Sequence, residues 1–205
     1  MIGLYIFAGI VALSGVEVYQ YFRGRRMNME MIRDSIRILE ETFRPVDKEY
    51  QMVGLYVGYR AKLIRNEEPK NIIVSFLTLP RYSTLYYPIS RILNKGDRVM
   101  MVLNYEKDIG RGEVHLCDKK FAKKMLEDSE KNLNIRELKC GMKILYEDPI
   151  TAKIFEETFS GVYTYIRHVA YDPSSRCIYL YANFSNLNEF KEIMCRVSKL
   201  ASRLL

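Results

Sequence analysis

Two histidines and four cysteines are all this 205-residue chain offers in soft ligands and ready nucleophiles. The cysteines are Cys117, Cys140, Cys177 and Cys195, and no two of them stand close enough for a zinc knuckle or a redox pair. His115 and Cys117 lie two apart in an expected strand and so share a face, where they can contribute to a metal site or form a thiolate–imidazolium pair. Such a site needs further ligands that the surrounding residues do not supply, and no metal is expected. Scattered cysteines at apolar positions read as reduced core residues, in keeping with the cytoplasm. His168, with Asp172 nearby, reads as a histidine at a helix carboxyl end, where positive charge is favoured.

Nucleotide and hydrolase motifs are absent. There is no Gly-x-x-x-x-Gly-Lys-Ser/Thr, no Gly-x-Gly-x-x-Gly, no Gly-x-Ser-x-Gly and no His-Glu-x-x-His. The acidic doublets Glu40-Glu41, Glu67-Glu68 and Glu156-Glu157 fall in helical or turn contexts, which solvated faces explain. No catalytic residue, cofactor or family motif is identified. If the chain is an enzyme, its candidates are His115 with Cys117 or Arg81 with Tyr86.

The most unusual segment is residues 80–91, which holds Arg81, Tyr82, Tyr86, Tyr87 and Arg91 just after an expected central strand. Rings with a polar tip beside guanidinium groups suit a membrane headgroup layer, a protein interface or a single-stranded nucleic acid. The alternative is a short helix under the sheet with Tyr82, Tyr86 and Ile89 as its inner stripe. Net charge is +7, which favours an anionic neighbour without choosing between lipid and nucleic acid. Part of that excess belongs to Arg23, Arg25 and Arg26, which weakens a nucleic-acid or ribosome contact as a reading. The lysines at 119, 120, 123 and 124 read as a solvated helix face that can add attraction to an anionic leaflet.

Those arginines close the strongest signal in the chain. Residues 2–16 carry no charge, and with Glu17 tolerated the apolar stretch runs to Phe22. A bilayer core of ~30 Å needs about 20 helical residues. The positive-inside rule puts the arginines in the cytoplasm and the amino terminus outside. Glu17 lies shallow enough to reach headgroups or to pair with Arg23 or Arg25. Ala8, Ala12 and Gly15 line one helical face, as packing against a partner helix or a second copy requires. The expected organisation is a transmembrane anchor at residues 1–22, a basic juxtamembrane and amphipathic helix at 23–45, and a soluble domain at 46–205. In the second of these, Met29, Ile32, Ile36, Leu39 and Phe43 form a stripe that either lies on the domain or pairs two chains.

The remainder predicts an α+β fold with a mainly antiparallel sheet of about six strands packed by helices. Strands are expected at 53–63, 72–79, 98–105, 113–117, 135–146 and 177–184. Helices are expected from Lys119 to about Leu133, after the Asp148-Pro149 start through Ile166, and after Ser185 or Asn186 to the end. The functional expectation is a single-pass membrane protein whose cytoplasmic domain binds another protein, with the lipid bilayer itself as the first partner.

Overall fold

The computed structural model describes residues 2–128 and 133–204. Helix α1 (Ile2–Phe43) runs without a break from the apolar stretch into the domain. Nothing in its sequence stops it earlier, since its glycines stand singly and the first proline is Pro45, two residues past its end. It is also the one helix among the described residues long and apolar enough to cross a membrane.

Beyond α1 come β1 (Asp47–Val53), the single turn α2 (Gly54–Val57), β2 (Gly58–Ile64), β3 (Asn71–Leu77), α3 (Tyr86–Asn94), β4 (Asp97–Asn104) and β5 (Val114–Cys117). Then follow α4 (Lys119–Asp128), β6 (Asn134–Glu137), β7 (Lys143–Tyr146), α5 (Pro149–Phe159), β8 (Ile166–Asp172), β9 (Cys177–Phe184) and α6 (Leu187–Leu204). The strands form a nine-stranded sheet in the order β1-β2-β3-β4-β9-β8-β5-β7-β6. Every pairing is antiparallel.

The α+β architecture with an antiparallel sheet agrees with expectation; the strand number does not. The expected strand 53–63 holds only the end of β1, the turn α2 and most of β2, so β1 lies mainly ahead of it. The expected strand 135–146 is a hairpin of β6 and β7. Residues 53–63 bend at α2, where Gly54 has φ +66° and Gly58 lies so close to the Phe76 carbonyl that a Cβ would collide with it. The apolar alternation passes through that bend unchanged, so the period carries no trace of it. Residues 135–146 reverse at Cys140 and Gly141, both with positive φ. The ninth strand is β8, which was read as the carboxyl end of a helix: α5 stops at Phe159, and Gly161 turns the chain at φ +92°. Helix α4 starts where expected, capped by Asp118 Oδ1, which accepts from the Phe121 amide at 3.0 Å. Residues 129–132, expected in the same helix, lie outside the described residues.

Alternation sorts the two faces of the sheet. Tyr59, Val74, Met101, Leu180, Val169, Leu116 and Ile144 point to one side and are fully buried there beneath α1, α5 and α6. The other side carries α4, which covers Cys117 and Leu145 with Ala122 and Phe121. Helix α6 contributes Phe190, Ile193, Met194, Val197, Leu200 and Leu204, the stripe its periodicity predicts. Helix α1 contributes Ile32, Leu39 and Phe43 to the same core. Ile32, Leu39 and Phe43 of the expected stripe therefore lie on the domain, with Ile36 half-buried beside them and Met29 exposed.

Antiparallel order also gives the molecule two distinct ends. The registers Gly58↔Leu77, Leu77↔Arg98 and Asp97↔Phe184 place α2, the whole 78–96 connection and the β9–α6 corner at one end. The apolar part of α1 leaves the domain at that end, as the contacts below establish.

Candidate functional site

Helix α1 docks through a row of residues spaced by four, Gln20, Gly24 and Asn28, which a period of 3.6 places on one face. Gln20 Nε2 donates to the Arg81 carbonyl at 3.1 Å. Gly24 packs directly against the Arg81 carbonyl and the Tyr82 amide, and a Cβ there would collide with both. Asn28 is fully buried and donates through Nδ2 to the carbonyls of Tyr56 and Leu79, each at 2.9 Å. Below it, Ser35 meets the Tyr59 hydroxyl at 3.0 Å.

The centre of this junction is Arg81. Its Nη1 and Nη2 donate to Asp97 Oδ1 and Oδ2 at 2.8 and 2.7 Å, and Nη1 also donates to Asn28 Oδ1 at 3.2 Å. Asp97 Oδ1 takes a further bond from the Leu79 amide at 2.7 Å. Burial works against the guanidinium charge, but the two bonds and the opposite charge of Asp97 prevail and hold the Arg81 pKa above its ordinary value. Asp97 has no exposed surface and Arg81 only 8%. Arg81 thus clamps the 80–94 segment to α1 instead of offering a charge to solvent.

Around the clamp the aromatic side chains gather. Tyr82 sits between Tyr21 and Tyr56, with ring centroids 6.3 and 6.4 Å away in edge-to-face geometry. The Arg25 guanidinium lies over the Tyr56 ring at 4.3 Å, and Arg26 bonds Glu30 at 3.0 Å. Glu17, Val18, Tyr21 and Phe22 of α1 and residues 82–85 line a shared groove of about 530 Å³. Arg23 and Arg91 are exposed, and Tyr87 is half-buried. The structure therefore brings together two groups of residues that the sequence analysis treated apart, the arginine-bearing end of the apolar stretch and the 80–91 segment. The residues that join them, Gln20, Gly24, Asn28 and Asp97, were missed. The signal of the first three was a polar and small row at spacing four, continuing into the apolar stripe at Ile32; Asp97, on β4, carried none.

The idea of a short helix with Tyr82, Tyr86 and Ile89 turned under the sheet is corrected. Tyr86 and Ile89 are exposed, and the buried residue of α3 is Ser90. Arg81 and Tyr86 do not form a pair, since one is buried in the clamp and the other faces out.

His115 and His168 meet on the α4 side of the sheet. His115 Nε2 lies 2.7 Å from Glu113 Oε1, and its Nδ1 lies 3.2 Å from His168 Nε2. The carboxylate can only accept, so His115 donates to it from Nε2, and the second ring nitrogen faces His168. His168 stacks on Phe121 at 5.5 Å and meets the edge of Tyr179. Burial, with His115 adding to it, pushes the His168 pKa down to about 4, and the ring is neutral. His168 thus stands in β8, not at a helix end. Cys117 shares the face of His115 but belongs to the α4 cluster; burial, with Asp118 adding to it, raises its pKa to about 12, the reverse of a thiolate pair. Only Cys117 of the four cysteines is buried, while Cys140 and Cys195 are exposed, which corrects their assignment to the core.

Among the described residues, no group of three or more His, Cys, Asp or Glu side chains is placed to hold a metal ion. The arrangement at the clamp does no covalent chemistry; it fixes a helix to a sheet. No protein-family model matches this chain, and no curated protein matches it either.

Proposed function

We propose that this is a single-pass membrane protein whose α+β domain is a cytoplasmic binding module, held at a set height and orientation by its own anchor. The observation that carries this reading is the clamp of Asn28, Arg81 and Asp97, which makes the apolar helix and the sheet one body. A flexible tether would only raise local concentration. A clamped helix also fixes which surfaces face the bilayer and which face the cytosol. The arginines at 23, 25 and 26 favour the inner side for the domain, with the amino terminus outside.

Two surfaces are open to protein partners. The Ala8, Ala12 and Gly15 face lies roughly 150° around α1 from the docking row, at 100° per residue, so the domain does not obstruct helix pairing there. Strand β1 is a sheet edge, to which an extended segment can add. Sodium carbonate extraction of membranes from expressing cells tests the anchor: the full-length protein is expected in the pellet, and release into the supernatant contradicts the reading. Photo-crosslinking from Gln51 on β1 and from Ala12 tests the two surfaces, and no adduct from either position contradicts a binding role.

A second reading, catalysis, has one observation in its favour, the run Glu113–His115–His168. A carboxylate-oriented imidazole is the usual form of a general base. If the wild type turns over any of a panel of ester and phosphoester substrates and a folded His115→Gln variant does not, this reading replaces the first. Equal turnover by both removes it.

A further inference from the structure

Helix α3 turns its apolar face out and its polar face in. Leu85, just before it, and Tyr86, Ile89, Ile92 and Leu93 occupy one side, and all five are exposed, Leu85 by 82%, Ile92 by 78% and Leu93 by 74%. The inward side is made of Ser90, buried, and Asn94, half-buried. Asn94 Nδ2 donates to Ser90 Oγ at 3.0 Å, and the Asn94 carbonyl accepts from Asn183 Nδ2. A soluble domain in water places such a helix the other way round. A contiguous apolar surface of this kind marks a contact with another phase or another molecule.

The position of α3 identifies the contact. Along residues 81–85 the chain climbs α1 towards its amino end: Arg81 meets Gly24 and Gln20, Tyr82 meets Tyr21, and Leu85 shares a groove with Glu17 and Val18. Leu85 thus stands beside the 17–22 stretch of α1, on the membrane side of Arg23, the first charge after the apolar stretch. From there α3 crosses the end of the sheet. Its last residues, Leu93 and Asn94, border a second groove with Lys119 and Lys120 of α4, on the opposite face from α1. A helix that starts beside α1 and ends beside α4 lies across the sheet end, and so along the plane of a membrane that α1 traverses. Leu55 at the tip of α2, 76% exposed, joins the same end. Arg91, Lys95, Lys119 and Lys120 border it, a charge that complements anionic headgroups.

We propose that α3 lies in the boundary between headgroups and acyl chains of the inner leaflet, with Leu85, Tyr86, Ile89, Ile92 and Leu93 in contact with lipid, as a second membrane attachment beside the spanning helix. This rests on the reading that α1 spans. An interfacial helix is expected to sink about 5–10 Å into that boundary, and Leu85 stands beside the last part of the apolar stretch, where that boundary falls. The domain then has two points of contact with the bilayer and cannot roll about its anchor.

The chain has no tryptophan, so one introduced residue reports alone. Full-length Leu13→Trp, Ile92→Trp and Ile150→Trp proteins are placed in vesicles of phosphatidylcholine and phosphatidylglycerol, with or without brominated acyl chains. Ile150 is exposed at the start of α5, at the far end of the sheet. The expected result is loss of most emission by bromolipid for Leu13→Trp and Ile92→Trp and no change for Ile150→Trp. Quenching of Leu13→Trp with none of Ile92→Trp overturns the proposal and leaves the spanning helix standing. A blue-shifted but unquenched Ile92→Trp overturns it in favour of a second copy covering α3. No quenching of Leu13→Trp overturns the spanning reading and this proposal with it. Leu93→Trp repeats the measurement at a second exposed position should Ile92→Trp fail to fold.

Discussion

Arg81 and Asp97 form a two-bond ion pair that is almost wholly buried, and the other partner of the guanidinium, Asn28, comes from the long helix α1 that carries the apolar stretch. A buried pair adds little compared with an apolar pair of the same shape, but removing one partner strands a charge. Asp97→Asn is therefore expected to cost about 3–5 kcal/mol of stability, read as a lower urea midpoint in detergent. The double change Asp97→Asn with Arg81→Met is expected to recover much of that loss. A single-variant cost under about 1 kcal/mol, the range of an exposed pair, contradicts the account of the clamp.

Gly24 has no room for a side chain, because Arg81 and Tyr82 backbone atoms occupy the place of a Cβ, whereas nothing lies within 4 Å of Gly15. Gly24→Val is expected to pry the 80–94 segment from α1 and to speed tryptic cleavage after Arg81. Gly15→Val, the control on the same helix, is expected to leave the cleavage rate at the wild-type level. Equal rates for all three proteins would show that the segment is not held by this contact.

The apolar stretch, its arginines, the caps of α4, α5 and α6, and the antiparallel α+β class were legible because each depends on neighbours in the chain. Asp148 illustrates this: its carboxylate accepts from the Thr151 amide at 2.8 Å, three residues on. What escaped depends on the third dimension. The bend at Gly54–Gly58 falls at an even interval, so alternation runs through it undisturbed. Val162 and Ile166 continue the spacing of α5 by coincidence and conceal where β8 begins. The partnership of Arg81 with Asp97 spans a helix and two turns, and no periodicity relates them. The outward face of α3 was misjudged because an apolar stripe says only that something covers it, not that the sheet does.

Acid should act through His168. Its native pKa of about 4 lies below the ordinary 6.5, so between those values the unfolded chain binds the extra proton. Stability supplied by this group is complete above pH 6.5, falls as the pH drops through that window, and changes no further below pH 4. The loss is on the order of 3 kcal/mol. Urea midpoints measured across this range are expected to fall more steeply for the wild type than for His168→Gln, and parallel curves would contradict the assignment.

Thiol chemistry separates the cysteines. Cys117 is buried with its pKa raised to about 12, and the thiolate is the reactive form. In the native protein, iodoacetamide is expected to modify Cys140 and Cys195 and to spare Cys117 until urea is added, as read by peptide mass spectrometry. Modification of Cys117 at the rate of Cys140 would show that α4 does not cover it.

The same exposed thiols give the most direct test of the proposed membrane placement. Sealed vesicles of the two orientations are treated with a membrane-impermeant maleimide. With the arginine side of α1 in the cytoplasm, Cys140 and Cys195 are labelled in inverted vesicles and protected in right-side-out vesicles until detergent is added. Labelling in right-side-out vesicles, or absence of the protein from both preparations, contradicts the account.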